Sequence, residues 1–435
     1  MPCFTDLEDD ELRNLKSSCV TKIKTLQWKT MAKYISNLSR IAVVRGRVSV
    51  STLVKYPRIV LGIETSCDDT GAAVVDENGT ILGEALHCQK DIHLKTGGII
   101  PTVAQHLHRD NITKVVNKAI HASGISPYEL SAIATTVKPG LGLCLGVGLS
   151  YSLDLVNKYH KPFIPIHHME AHALTVRLLH PVEFPFLVLL ISGGHCILAI
   201  VSGVSEFVML GHSLDEAPGD TLDKVARRLS LINHPQCSGM SGGEAIEHLA
   251  LHGNRKICKL KIPMSHHRDC NFSFAGLRNQ VNKVIEQKEA EKGISKGQLL
   301  PCVADIAAAV QHTVALHLAQ RTQRAIYYCK REGLIPTERA CLVVSGGVAS
   351  NRYIRKALQT VTHESDMTLL CPPPRLCTDN GVMIAWNGIE KLQSGVGVLH
   401  NADGACYESR ASLGRDISEL VRKAAIKVQP IKILS

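Results

Sequence analysis

No apolar run in this 435-residue chain approaches the roughly 18 residues that a membrane-crossing helix needs. The longest, FPFLVLLI at residues 184–191, has the length of a buried strand. No C-x-x-C pair occurs among the 15 cysteines, whose count is odd and whose spacing is irregular. That argues against a disulfide framework and against a cysteine zinc site, and a reducing compartment fits best. No acidic residue lies between positions 31 and 58, and no H-E-x-x-H motif is present. What remains is a globular composition, 45% apolar and 20% charged, long enough for two or three folding units.

The net charge of +10 is uneven. Residues 1–58 hold 11 Lys/Arg against 5 Asp/Glu, which leaves about +4 for everything after them. A mildly basic body admits an anionic partner such as RNA, and an ordinary basic surface equally. Residues 31–58 combine six Lys/Arg with four Ser, the composition of a mitochondrial transit peptide. Residues 1–30 do not share it, because Asp6, Glu8, Asp9, Asp10 and Glu11 cluster there, so Met31 is a candidate start. A leader over 1–58 is therefore expected, with a disordered basic arm as the plain alternative.

From Ile59 the texture changes. IVLGIET reads as a strand, and TGAAVVDENGTILGEAL as a hairpin turning at Glu77-Asn78-Gly79. Helical patterns follow at 106–122 and 145–158, and a charged, exposed stretch at 287–296. Two further strands each run into Ser-Gly-Gly, at 192–194 and 345–347. The pair hints at two related glycine-rich loops; it is too little for an internal repeat, but it suits two α/β lobes that face one cleft.

His168 and His172 stand four residues apart, on one face of a helix, where two imidazoles can converge on zinc or iron. Two ligands are too few, and in a chain with 21 histidines ordinary surface or core roles compete. Glu170 sits roughly 200° around the helix from His168, so HHMEAH is not the zinc-protease motif. Asp379 follows a proline-rich loop and precedes a helix; it is either the missing carboxylate or a helix cap. Gly193-Gly194 and Gly346-Gly347 let backbone N–H groups approach an anion, or serve as plain turns. Thr65, Ser66, Asp68, Asp69 and Thr70 form a polar hairpin loop of the kind that meets a nucleotide–metal complex, or a mere hairpin tip. Asp223 is either a ribose-binding carboxylate or part of a solvated helix with Lys224, Arg227 and Arg228.

Seven segments, GIETSCDDT, HHMEAH, LLISGGH, LDKVARRL, FSFAGL, VVSGGVASN and PPPRLCTDNGVMIAW, stand in the order found in the TsaD-type tRNA threonylcarbamoyltransferases, once described as O-sialoglycoprotein endopeptidases. The chain resembles that family over nearly its whole body, and with its leader it resembles the mitochondrial branch. The resemblance implies an α/β, actin-like and sugar-kinase-like (ASKHA) fold of two RNase-H-like lobes, at about 59–165 and 166–375. Helices from 380 to 435 would return across both. It implies transfer of threonylcarbamoyl from threonylcarbamoyl-AMP to N6 of the adenosine 3′ of the anticodon in tRNAs reading ANN codons. It puts one divalent metal per subunit, zinc or iron, on His168, His172 and Asp379. Substrate contacts fall on Leu190, Ile191, Ser192, Gly193, Gly194, Asp223, Gly243, Glu247, Ser350, Asn351 and Thr378. The general base is assigned to Asp68 or Asp69. A homodimer in the matrix, supplied with donor by a YrdC-type synthase, is expected. Ala171, Cys196, Ala275 and the Ser241-Gly242-Gly243-Glu244 loop depart from the bacterial pattern, and the last puts contacts at Glu244 in doubt. A metalloprotease, an ASKHA-type ATPase and a non-catalytic RNA binder are the competing readings.

Overall fold

The computed structural model describes residues 57–433; the leader and Met31 lie outside the described residues, apart from Pro57 and Arg58. The first sheet contains β1 (Ile59–Glu64), β2 (Asp69–Asp76), β3 (Ile81–Cys88), β4 (Ala132–Lys138) and β5 (Phe163–His167). The second contains β6 (Phe186–Ile191), β7 (Cys196–Gly203), β8 (Glu206–His212), β9 (Cys341–Ser345), β10 (Thr368–Leu370) and β11 (Arg415–Asp416). The helices are α1 (Lys90–Lys95), α2 (Pro101–Ser123), α3 (Gly142–Tyr159), α4 (His168–Leu174), α5 (Pro218–Arg228), α6 (Gly242–Ala250), α7 (Ala275–Lys292), α8 (Val303–Arg331), α9 (Arg352–His363), α10 (Pro374–Cys377), α11 (Gly381–Ser394) and α12 (Ser418–Ala424).

The sheets share one plan. The first runs β3-β2-β1-β4-β5; the second runs β8-β7-β6-β9-β10, with β11 added beside β8. In each, three antiparallel strands precede two parallel ones. This is the duplicated α/β architecture that the family resemblance implies. The central strands β1, β6 and β9 are buried along their whole length and, apart from Glu64 and Ser345 at the ends of β1 and β9, read as apolar runs, as strands covered on both faces do. The hairpin at Glu77-Asn78-Gly79 closes β2 onto β3, with Gly79 at φ +82°.

Both Ser-Gly-Gly loops belong to the second lobe. They end the neighbouring parallel strands β6 and β9 of the second sheet, and the space a Cβ would take at Gly346 lies 2.3 Å from the Ile191 carbonyl oxygen. The structural counterpart of the 192–195 turn is instead the 65–68 turn, because each joins a six-residue strand to an eight-residue one.

Two helices fix the site. All seven residues of α4 are buried. Ala171 belongs to the core of the first sheet, whereas Met169, Ala173 and Leu174 belong to a core against the second. The bacterial glycine position, held here by Ala171, therefore faces the first lobe. Helix α11 lies directly on the first sheet. A Cβ at Gly62 would meet the Ala385 nitrogen at 2.2 Å, and one at Gly381 the Ala72 carbonyl carbon at 2.3 Å. Glycine permits this backbone approach, and it draws the loop ahead of α11 against the end of β1. Beyond α11 the chain pairs Leu399 with Phe163 of the first sheet, then adds β11 to the second.

Candidate metal centre and nucleotide cleft

His172 Nε2 lies 3.0 Å from Asp379 Oδ1, His168 Nε2 lies 3.4 Å from it, and the two Nε2 atoms are 3.2 Å apart. A tetrahedral ion with bonds of about 2.0–2.1 Å has donor–donor edges of roughly 3.3 Å. The three groups thus fit one transition-metal ion, and three ligands leave a position for water or substrate. Among the described residues no other His/Cys/Asp/Glu group of three converges so closely. Asp379 is free for this role because its neighbour Asn380 caps α11, accepting from the Met383 N–H at 2.9 Å. The helix-cap alternative for Asp379 is therefore filled by another side chain.

Behind the histidines stands a residue that the sequence did not single out. Glu64, fully buried at the end of β1, places Oε2 3.2 Å from His168 Nδ1. Its carboxylate also accepts from the Ser66 N–H and the Thr136 hydroxyl. A carboxylate on the far nitrogen of a ligating histidine fixes its tautomer and raises its basicity. Burial opposes the His168 imidazolium, but the Asp379 and Glu64 carboxylates outweigh it and raise its pKa to about 10. Burial likewise opposes the Asp379 carboxylate, and the two histidines overcome it and hold its pKa well below the usual range. Both shifts express a site built for positive charge, and imidazole ligates a metal only as the neutral base.

The neighbouring residues point elsewhere. His167 caps α4 through Nδ1, which accepts from the Met169 N–H. Glu170 pairs with Lys391 at 3.0 Å on the side away from the metal ligands. It is not available as the base of a zinc protease.

The Ser192-Gly193-Gly194-His195 turn approaches this centre, with the His195 ring centroid 6.5 Å from that of His168. Gly193 and Gly194 are exposed, and a Cβ on either would meet nothing within 4 Å. Leu190 and Ile191 are buried and offer backbone only. Helix α5 starts against the turn: the Gly219 N–H donates to the Ser192 carbonyl, and no side chain fits at Gly219. Asp223, one turn later on the same face, accepts from the Gly243 N–H at 3.0 Å at the start of α6. Asp223 also lines a cleft of about 390 Å³ whose opposite wall includes Asp68, Lys90 and His93 of the first lobe.

Glu247 accepts from the Arg352 N–H at 2.7 Å, and Asn351 caps α9 while donating to Gln311. Ser350 ends the turn after β9, and Thr378 is exposed beside Asp379. Asp68 lies in the 65–68 turn, whereas Asp69 and Thr70 already belong to β2, so the polar hairpin loop is shorter than its sequence suggests. Burial raises both carboxyl pKa values, that of Asp69 to about 7. Glu244 completes a capping box with Ser241 and reaches Lys90 across the cleft at 3.6 Å.

A sequence profile for tRNA N6-adenosine threonylcarbamoyltransferase matches residues 80–386, a span that includes all three candidate ligands. The chain belongs to this family. It is 65% identical over 376 residues to the Homo sapiens protein named tRNA N6-adenosine threonylcarbamoyltransferase, mitochondrial, covering 86% of this chain and 91% of that one. A Danio rerio protein of the same name is 62% identical over 389 residues, covering 89% and 96%. The Granulibacter bethesdensis enzyme, named without the mitochondrial term, is 41% identical over 352 residues, covering 78% and 90%. Among solved structures, T. kodakarensis HypF aligns over 78% of this chain and 48% of its own, at 15% identity and a TM-score of 0.48. As a member of the threonylcarbamoyltransferase family the chain is a transferase that modifies tRNA, and the protease and ATPase readings fall away.

Proposed function

We propose that this enzyme transfers threonylcarbamoyl from threonylcarbamoyl-AMP to N6 of the adenosine 3′ of the anticodon in mitochondrial tRNAs reading ANN codons. The observation that carries this reading is the convergence of His168, His172 and Asp379 beside an open Ser-Gly-Gly-His turn. The exocyclic adenine amine is a weak nucleophile, and the donor is a mixed anhydride whose carbonyl must be held and polarised. N6 attacks the carbonyl carbon, the bond from that carbon to the phosphate oxygen breaks, AMP leaves, and the N6 proton passes to a base. A divalent ion held by His168, His172 and Asp379, zinc or iron by the donor set, supplies Lewis-acid polarisation of the donor.

The chain's own groups do the rest. The Gly193 and Gly194 amides approach the donor's anionic groups, a contact a bulkier turn would block. Asp223 accepts the ribose hydroxyls with the oxygen it does not give to Gly243, and Gly243 itself, with Glu247, Ser350, Asn351 and Thr378, borders the nucleotide. Leu190 and Ile191 contribute backbone. Asp68, which faces Asp223 across the cleft, is better placed than Asp69 to take the N6 proton, and burial raises its carboxyl pKa. The setting is the mitochondrial matrix, with a homodimer receiving its donor from a YrdC-type synthase. No described helix is long and apolar enough to cross a membrane.

The test combines purified protein, donor and tRNA, with nucleoside mass spectrometry as the readout. Threonylcarbamoyladenosine is expected only when donor and tRNA are both present. Its absence under metal-replete conditions, or metal-dependent cleavage of a glycoprotein, would overturn the proposal.

A further inference from the structure

One segment of the body gathers basic residues with no acid among them. Residues 251–268, LHGNRKICKLKIPMSHHR, contain five Lys/Arg and no Asp or Glu. Residues 59–435 carry 38 Lys/Arg against 34 Asp/Glu, so without this segment the body would be slightly acidic. Lys256, Lys259, Lys261 and Arg268 are exposed, and among the described residues none of them is paired with a carboxylate. By contrast, Lys288 pairs with Glu291 at 2.6 Å and Lys224 with Asp220 at 2.7 Å.

The segment has no helix or strand, yet its backbone is fastened down. The guanidinium of Arg321, 2% exposed, donates to the carbonyls of Met264, His267 and Asp269. The Asn254 N–H donates to Asp305 at 2.7 Å, and Lys261 exchanges two hydrogen bonds with Gln280. Cys258 is buried beneath it. A basic loop held this way presents fixed positive charge at little ordering cost, which suits an anionic polymer better than a single small anion.

Its position fits as well. The segment follows directly on α6, whose first residues meet Asp223 and which spans nine residues, roughly 14 Å at about 1.5 Å per residue. Arg255 donates to the Tyr353 hydroxyl, two residues beyond Asn351. The basic loop thus lies about one helix length from the cleft in which the target base would react.

We propose that residues 251–268 form a docking surface for the sugar-phosphate backbone of the tRNA, outside the reactive cleft. The proposal rests on the tRNA-modifying reading above. Contacts of this kind position a nucleic acid without reading its sequence.

The test compares the full chain with a Lys256→Gln/Lys259→Gln/Lys261→Gln variant and with Lys288→Gln, which removes an already paired lysine. For the triple variant, tRNA affinity is expected to fall at least about tenfold near physiological salt. The slope of log affinity against log salt should shrink by about two to three. Its KM for tRNA should rise, while kcat at saturating tRNA, affinity for AMP and thermal midpoint hold. Unchanged tRNA affinity and salt slope would overturn the proposal, and so would an equal loss in Lys288→Gln. Binding of anionic phospholipid vesicles through these lysines with tRNA affinity intact would also overturn it. A wild type that binds tRNA but forms no threonylcarbamoyladenosine would count against the proposed reaction and leave the docking surface standing.

Discussion

The two sheets follow one plan and diverge at the end of one strand. Where β1 finishes in the buried carboxylate of Glu64, β6 finishes in the buried side chain of Ile191. The turns that follow are equally long, but one reads Thr65-Ser66-Cys67-Asp68 and the other Ser192-Gly193-Gly194-His195. The first lobe thus places charge and hydroxyls under α4. The second strips its turn to glycine backbone and leaves it open. A buried carboxylate is unfavourable unless it is bonded, and Glu64 accepts from Ser66, Thr136 and His168. The same strand order therefore ends in a buried carboxylate on one side and an open backbone turn on the other, by exchanging a few residues at the strand ends.

The comparison breaks most severely at the candidate ligands on α4 and ahead of α11. His172→Ala and Asp379→Ala are each expected to lower metal content and reduce transfer by about 10³-fold or more, the scale of several kcal/mol of lost Lewis-acid stabilisation. Circular dichroism should show the fold retained. Normal metal content with normal transfer in both variants would remove the centre. Glu64→Gln keeps the shape of β1 and removes the charge behind His168. Metal affinity should drop about 10- to 100-fold by competition with a chelating dye, with a smaller loss of stability. Unaltered affinity would reduce Glu64 to a packing residue.

Glycines of the two lobes should respond oppositely. Gly381→Ala forces a Cβ into the Ala72 backbone and should cost about 1–3 kcal/mol in urea denaturation, moving α11 and Asp379 with it. Gly193→Ala meets nothing and should leave stability within about 0.5 kcal/mol while weakening donor binding in calorimetry. Equal stability losses in the two would erase the distinction. The last effect concerns pH. His317 packs against Phe272 and Phe274 in the second lobe and accepts from the Ser273 N–H. Burial, helped by Arg321, lowers its pKa to about 3. The unfolded chain binds this proton near pH 6.5, so the stability is present above that value and is lost as pH falls from about 6.5 toward 3. A loss of about 1–2 kcal/mol between pH 7 and 5 is expected, and His317→Gln should flatten it.

Much of the candidate site was legible because its residues carry local signatures. Spacing alone puts His168 and His172 on one helical face, and the proline-rich loop before a helix marks Asp379. Glu64 was hidden, since a glutamate closing an apolar strand looks like the strand's exit into solvent. Only the packing of α4 onto that strand end shows it buried. The two Ser-Gly-Gly motifs do not mark the structural repeat, for a related reason. Their likeness is chemical, whereas the structural repeat pairs GIETSCDD with LLISGGHC, whose turns share a length and little else. The basic loop at 251–268 lies in the sequence as a plain run of charge, but its anchorage by Arg321 is a contact across more than fifty residues. No local pattern reveals such a contact.

Helix α4 has a consequence for heritable variation. One face answers to the core of the first lobe, another to the core of the second, and the remaining positions hold His168, His172 and the Glu170–Lys391 pair. Seven consecutive codons thus contain no position at which a change goes unnoticed, and larger and smaller side chains are refused alike. In a scan of every single substitution this stretch should form an unbroken band of intolerance. The exposed positions of the 251–268 loop should instead accept any exchange that keeps its charge.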